Sequence, residues 1–156
     1  MLAFVIIVLV ATFSSPRYNG NVVSVIDTQY LLNNTDDVKD GYNANIENVP
    51  GFFKAIFGNE VIKLSIQMDS GSTKILYIKT HKGKIVNISD NDTTIHTLEV
   101  QTNETTVNKI LSSNDQIREI NKALKEGLIS YKAVTFRAKV KTKIAGMGYH
   151  IWSWFN

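Results

Sequence analysis

The strictest constraint in this chain is a clean alternation between Glu60 and Met68. Ile62, Leu64, Ile66 and Met68 fall on one side and Lys63, Ser65 and Gln67 on the other. Successive side chains of a strand point to opposite faces, so this run predicts a strand with one face on a core and one toward water. Asp69-Ser70-Gly71-Ser72 then turns the chain into Thr73 to Thr80 (TKILYIKT), and His81-Lys82-Gly83-Lys84 turns it again into Ile85 to Ile88. Three sequential strands joined by short glycine-bearing turns predict an antiparallel meander. A fourth strand is expected at Thr94 to Thr102, with His96, Leu98 and Val100 on one side and Thr97, Glu99 and Gln101 on the other.

After that strand the period changes to 3.6. Thr102 or Asn103 serves as N-cap to a helix that places Val107, Ile110 and Leu111 on one face. A second helix is expected from near Asn114, with Ile117, Ile120 and Leu124 inward, and Gly127 stops it. Leu128 to Tyr131 reads as a last strand. Upstream of the meander, Asn19 to Tyr42 is rich in Asn and Asp, with NNTDD at Asn33 to Asp37, and reads as a loose approach. Within it Val22 to Ile26 could pair as an edge strand. Tyr42 to Glu47 reads as a short strand, and Pro50 followed by GFFKAIF and Gly58 as a short helix.

The C-terminal quarter supports two readings. Val134, Phe136, Ala138, Val140 and Ile144 alternate with polar residues, as a strand would. Phe136, Val140, Ile144, Met147, Ile151 and Trp154 recur at steps of three and four, as an amphipathic helix would, and this stripe continues where the alternation has ended. The helix is favoured, although Gly146 and Gly148 weaken it. Its aromatic end and basic flank suit a membrane interface, with Trp152, Trp154 and Phe155 as contact residues; the plainer reading is that the stripe covers one face of the sheet.

Leu2 to Phe13 (LAFVIIVLVATF) is apolar except for Thr12, and Ser14-Ser15-Pro16-Arg17 ends it. As a helix, Met1 to Ser15 reaches roughly 22 Å, short of the ~30 Å hydrocarbon core. An anchor or signal-type segment is favoured over a buried core helix, because Leu2 to Val10 leave no polar stripe for solvent. Leu2, Phe4, Ile6 and Phe13 are then its membrane contacts. Sequons beginning at Asn33, Asn87, Asn91 and Asn103 suit an extracytoplasmic placement at the cell membrane, although chance accounts for much of their number. The expected organisation is an N-terminal anchor or signal-like segment at 1–17, a linker at 18–41 and a folded domain at 42–156.

Several chemistries lack their residues. With no cysteine, thiol catalysis, thiolate metal sites and disulfides are excluded. His81, His96 and His150 lie far apart, and none belongs to a paired-ligand motif. Asp36-Asp37 and Asp90 with Asp92 read as solvated loop carboxylates without EF-hand spacing. Phosphate-loop, dinucleotide and nucleophile-elbow signatures are absent. The net charge of +3 hides an asymmetry, since residues 1–60 hold three Lys/Arg against six Asp/Glu. The basic stretch Lys132 to Lys143 is compatible with phosphate contacts, but no recognisable nucleic-acid motif accompanies it. No catalytic residue, cofactor or metal is expected, and no nucleic-acid partner.

The stretches IENVPGFFKAIFGNEVIKLSI (Ile46 to Ile66), THKGKIVNIS (Thr80 to Ser89), TLEVQTNETTVNKILSS (Thr97 to Ser113) and ALKEGLISYKAV (Ala123 to Val134), in that order, resemble the sterol carrier protein 2-like family. The likeness is to short archaeal members with an N-terminal hydrophobic segment, and it lies in element order and hydrophobic pattern from Tyr42 to Phe155. It implies an α+β fold: about five strands in a mainly antiparallel sheet, covered on one face by helices, with an apolar tunnel between the layers. An N-terminal hydrophobic helix would precede it. It also implies a lipid or other apolar small molecule as ligand. The expected lining is Leu64, Ile66, Leu76, Ile78, Ile110, Leu124, Phe136, Val140 and Met147. The expected function is a non-catalytic, membrane-tethered lipid-binding or lipid-transfer module. The alternative is a membrane-anchored interaction or envelope domain with a solid core.

Overall fold

The computed structural model describes residues 27–48, 58–91 and 95–134. Five strands form one sheet in the order β3-β2-β1-β4-β5, with β1 at Val61–Gln67, β2 at Thr73–His81, β3 at Lys84–Ser89, β4 at Leu98–Asn103 and β5 at Ser130–Ala133. The expected meander is present: β1 pairs antiparallel with β2, and β2 antiparallel with β3. The pairing of β1 with β4 is parallel, Ile62 opposite Leu98 and Leu64 opposite Val100, and β4 pairs antiparallel with β5. The sheet is therefore mixed, with one parallel ladder at its centre.

β4 begins at Leu98, later than the expected Thr94, and β5 lies at Ser130–Ala133 and not at Leu128 to Tyr131. Both shifts have local causes. The amide of Thr97 donates to the Val61 carbonyl while its hydroxyl accepts from the Val61 amide, which fixes the entry to β4. Gly127, at φ 73°, ends the preceding helix in the left-handed region, and the amides of Leu128 and Ile129 both return to the Ala123 carbonyl before the strand can start.

The stretch expected to be a loose approach is helical where it is described. Helix α1 spans Thr28–Asn33 and α2 spans Thr35–Ala44. Three of the Asn and Asp residues in and beside this stretch, Asp27, Asn34 and Asn45, are caps of these helices. Asp27 accepts from the Tyr30 amide at 2.8 Å, Asn34 donates to the Tyr30 carbonyl at the joint, and Asn45 donates to the Gly41 carbonyl at the far end. Asp36 and Asp37 occupy the first turn of α2, where the helix dipole favours negative charge. Tyr42 to Glu47, expected as a strand, is the end of α2 followed by a 3-10 turn at Ile46–Asn48. The helix expected after Pro50, the edge strand at Val22 to Ile26, the N-terminal apolar segment and the C-terminal stripe from Phe136 lie outside the described residues.

After β4 the chain forms α3 at Glu104–Leu111 and α4 at Gln116–Lys125. Asn103 caps α3 as expected, accepting from the Thr106 amide at 2.8 Å, and Asp115 caps α4 by accepting from the Arg118 amide. The core is made by one face of the sheet and the apolar sides of these helices: Ile62, Leu64, Ile66, Ile78, Leu98 and Val100 from strands, with Leu31, Val38, Val107, Ile110 and Ile120 from helices. On the other face Lys63, Tyr77, Glu99, Gln101 and Lys132 are half-buried or exposed. Among the described residues no helix is long and apolar enough to cross a membrane.

Candidate functional site

The period-two pattern of the strands brings Leu64 and Ile66 of β1, Leu76 and Ile78 of β2, Ile88 of β3 and Thr102 of β4 to the covered face. Leu31 and Leu32 of α1, Thr35 and Val38 of α2 and Val107 of α3 lie across from them. The spacing Leu31, Thr35, Val38, Tyr42 is one face of a 3.6-residue period, interrupted only by the Asn34 joint. These eleven residues enclose a cavity of about 20 Å³, room for roughly one water.

The floor is well buried, with Val38 and Leu64 each at 2% exposure and Ile78 at 1%. Leu32, Thr35, Leu76 and Ile88 are half-buried and form the rim, where α1 meets α2 above β2 and β3. Every described lining side chain is Leu, Ile, Val or Thr, so none of these titrates. The wall can exclude water and enclose an apolar surface; among the described residues it carries no base or fixed charge. One feature departs from this apolar character: the Thr102 hydroxyl is buried and has no hydrogen-bond partner among the described residues.

Polar contacts hold the cavity's walls from outside it. At one end Thr28, fully buried, gives both its amide (2.8 Å) and its hydroxyl (2.7 Å) to the Asn108 side-chain oxygen, tying α1 to α3. At the other end the Asn43 side chain donates to the Ile85 carbonyl at 2.8 Å and accepts from the Ile85 amide at 2.9 Å. Asn43 thereby pairs with the edge strand β3 as a neighbouring strand would. Tyr42 donates its hydroxyl to the Gly83 carbonyl in the β2–β3 turn, and burial pushes its pKa up to about 12. The Glu104 carboxylate accepts from the Asp69 amide at 2.8 Å and from the Gln29 side chain, which pins the β1–β2 turn and α1 to the start of α3.

Four of the expected lining residues, Leu64, Ile66, Leu76 and Ile78, come together in this cavity. Ile110 and Leu124 do not line it. Ile110 is packed core at 1% exposure, and Leu124 is half-buried against that core. The α3–α4 side, where both reside, is filled by Val107, Ile110, Ile120 and Ala123. Phe136, Val140 and Met147 lie outside the described residues, as do Leu2, Phe4, Ile6, Phe13, Trp152, Trp154 and Phe155. Sequence reasoning missed Leu31, Leu32, Thr35 and Val38 by reading their segment as a linker, although their helical spacing was there to find. Thr102 continues the row of Leu98 and Val100 and was missed as a polar residue.

The described residues hold no cluster of three or more His, Asp or Glu able to take a metal ion. On the open face, His96 Nε2 lies 2.8 Å from Glu99 Oε1. That hydrogen bond, with Lys132 and Lys63 nearby, holds the Glu99 carboxyl below its ordinary range.

No family model and no curated protein matches this chain. Among solved structures it is similar to the sterol carrier protein domain 2 of Helicoverpa armigera, with 12% identity, a TM-score of 0.48, and coverage of 81% of this chain and 91% of that one. It is also similar to the apo form of sterol carrier protein 2 from Yarrowia lipolytica, at 15% identity and TM-score 0.46 over 76% and 96% of the two chains. A third is the palmitated SCP2L2 of Aedes aegypti, at 14% identity and TM-score 0.45 over 78% and 94%. These are domains of the family that the sequence stretches resemble; at such identities and TM-scores the likeness establishes neither membership nor function.

Proposed function

We propose that this chain is a non-catalytic lipid-binding or lipid-transfer module of the sterol carrier protein 2-like kind, tethered to a membrane by its apolar N-terminus with the domain on the extracytoplasmic side. One observation carries the lipid reading: a wall of leucine, isoleucine, valine and threonine lies between the α1–α2 layer and the sheet, with a half-buried rim at Leu32, Thr35, Leu76 and Ile88. At roughly 25 cal/mol per Å² of apolar area removed from water, enclosing part of a hydrocarbon chain gains several kcal/mol with no catalytic group involved. Binding requires α1 and α2 to move off the strands, because the space of about 20 Å³ is far smaller than an acyl chain.

That same small volume favours the second reading, a membrane-anchored interaction domain whose interior stays filled. The two separate on lipid content. Full-length protein extracted from its own membranes is expected to release a stoichiometric lipid in native mass spectrometry and to take up fluorescent acyl or sterol probes. An empty protein that takes up neither leaves the packed interaction domain standing.

A further inference from the structure

We infer that the cavity selects an apolar molecule bearing one uncharged hydrogen-bonding group, a long-chain alcohol in chemical class, whose polar atom meets the Thr102 hydroxyl. This rests on the lipid-binding reading above and adds to it the kind of lipid and the direction in which it enters.

Thr102 is 7% exposed, its hydroxyl oxygen is buried, and its neighbours in the lining are Ile66 across the β1–β4 ladder and Val107 on α3. A buried hydroxyl without a partner is costly, and folded proteins rarely leave one so. A single water fits the volume but finds only the Thr35 hydroxyl as a second polar side-chain atom in the described wall, whereas a buried water ordinarily makes two to four hydrogen bonds. A ligand hydroxyl answers the need better, because it donates to or accepts from threonine while its chain covers the apolar wall. A carboxylate or phosphate does not, since the described lining offers no cation and its two threonine hydroxyls are too little to offset the lost hydration of a full charge.

Direction follows from the strand order. Thr102 is on β4, the rim residues Leu76 and Ile88 are on β2 and β3, and β1 lies between. At about 4.8 Å between neighbouring strands, the hydroxyl sits roughly 14 Å across the sheet from β3. The polar end therefore enters first, and the chain trails toward the rim.

The test holds full-length protein in amphipol and presents 1-dodecanol, dodecane or dodecanoate from cyclodextrin, counting bound ligand by mass spectrometry. Wild type is expected to bind 1-dodecanol at least tenfold more tightly than dodecane or dodecanoate. Thr102→Val is expected to bring alcohol and alkane within threefold of each other with the alkane's affinity unchanged, and Thr102→Ser to retain the preference. The ligand-free Thr102→Val protein is also expected to melt higher, because the replacement removes an unpaired buried hydroxyl and keeps its shape. Equal affinity of wild type for alcohol and alkane, or a lower melting point for Thr102→Val, overturns the inference while lipid binding stands. Failure of wild type to bind any of the three overturns the lipid reading as well.

Discussion

The two ends of the helix layer rest on the same sheet but meet it differently. Over β4 and the centre, α3 and α4 press Val107, Ile110, Ile120 and Ala123 into the core, and Ile120 is completely buried. Over β1 to β3, α1 and α2 bury Leu31, Val38 and Tyr42, are held at their ends by side-chain hydrogen bonds and leave a small space beneath their joint. Apolar filling has no preferred direction and resists opening everywhere along its surface. The space beneath the joint leaves the span between the two hydrogen-bonded ends with less packing to lose. Under the proposed function, this contrast makes the α3–α4 end the scaffold and the α1–α2 end the side of ligand entry.

The sharpest way to break that assignment is to empty each end in turn. Ile110→Ala is expected to cost about 2–5 kcal/mol in urea unfolding, and Leu76→Ala at the rim less than half as much. Equal costs would mean that both ends are packed alike. Tyr42 offers a pH probe of the α2 latch. Its pKa is raised by burial from the ordinary 10 to about 12, so the stability it contributes is fully present below pH 10 and is lost as pH rises through 12. Tyr42→Phe should flatten that part of the pH–stability curve.

Asn43→Ala removes both bonds to Ile85 and is expected to cost about 1–2 kcal/mol. Hydrogen exchange should then quicken in β3 and leave β4 unchanged; equal quickening in both would argue against a separately hinged entry. Leu76→Phe fills the rim, with an expected stability change below about 1 kcal/mol and a loss of acyl-probe uptake. The smallest effect belongs to the open face. His96→Ala should let the Glu99 carboxyl titrate closer to the ordinary carboxylate range in an NMR titration, with probe uptake untouched.

The strand half of this fold was legible because each clue was local. The alternation at Ile62, Leu64 and Ile66, the turns at Gly71 and Gly83, and the Asn103 cap all act within a few residues, and all appear where expected. Four of the eleven lining residues were legible for the same reason, since Leu64, Ile66, Leu76 and Ile78 follow from strand period alone. The α1–α2 wall was hidden by its own caps: Asp27, Asn34 and Asn45 raise the polar content of Asp27 to Asn45 to that of a loop while ending two short helices. The parallel ladder between β1 and β4 was hidden because no residue within either strand encodes the partner's direction. Thr102 was missed because a threonine on a buried face is also a common β-sheet residue, and its lack of a partner appears only when the surrounding residues are in place.

The β1–β4 pairing also sets an order of events as the protein assembles. Val61 and Thr97, which meet at the start of that ladder, are 36 residues apart, and Thr28 and Asn108 are 80 apart. The β1–β2 and β2–β3 hairpins need only short loops to close, so they can form early. β4 must travel from the sheet's far edge past two strands before it can dock, an entropically slower step. Until it arrives, α1, α2 and the first three strands lack the Thr102 and Val107 side of the wall between them. A nascent chain halted near Ser89 would therefore leave the β1 edge of the apolar face uncovered, a surface that a chaperone can hold until β4 docks.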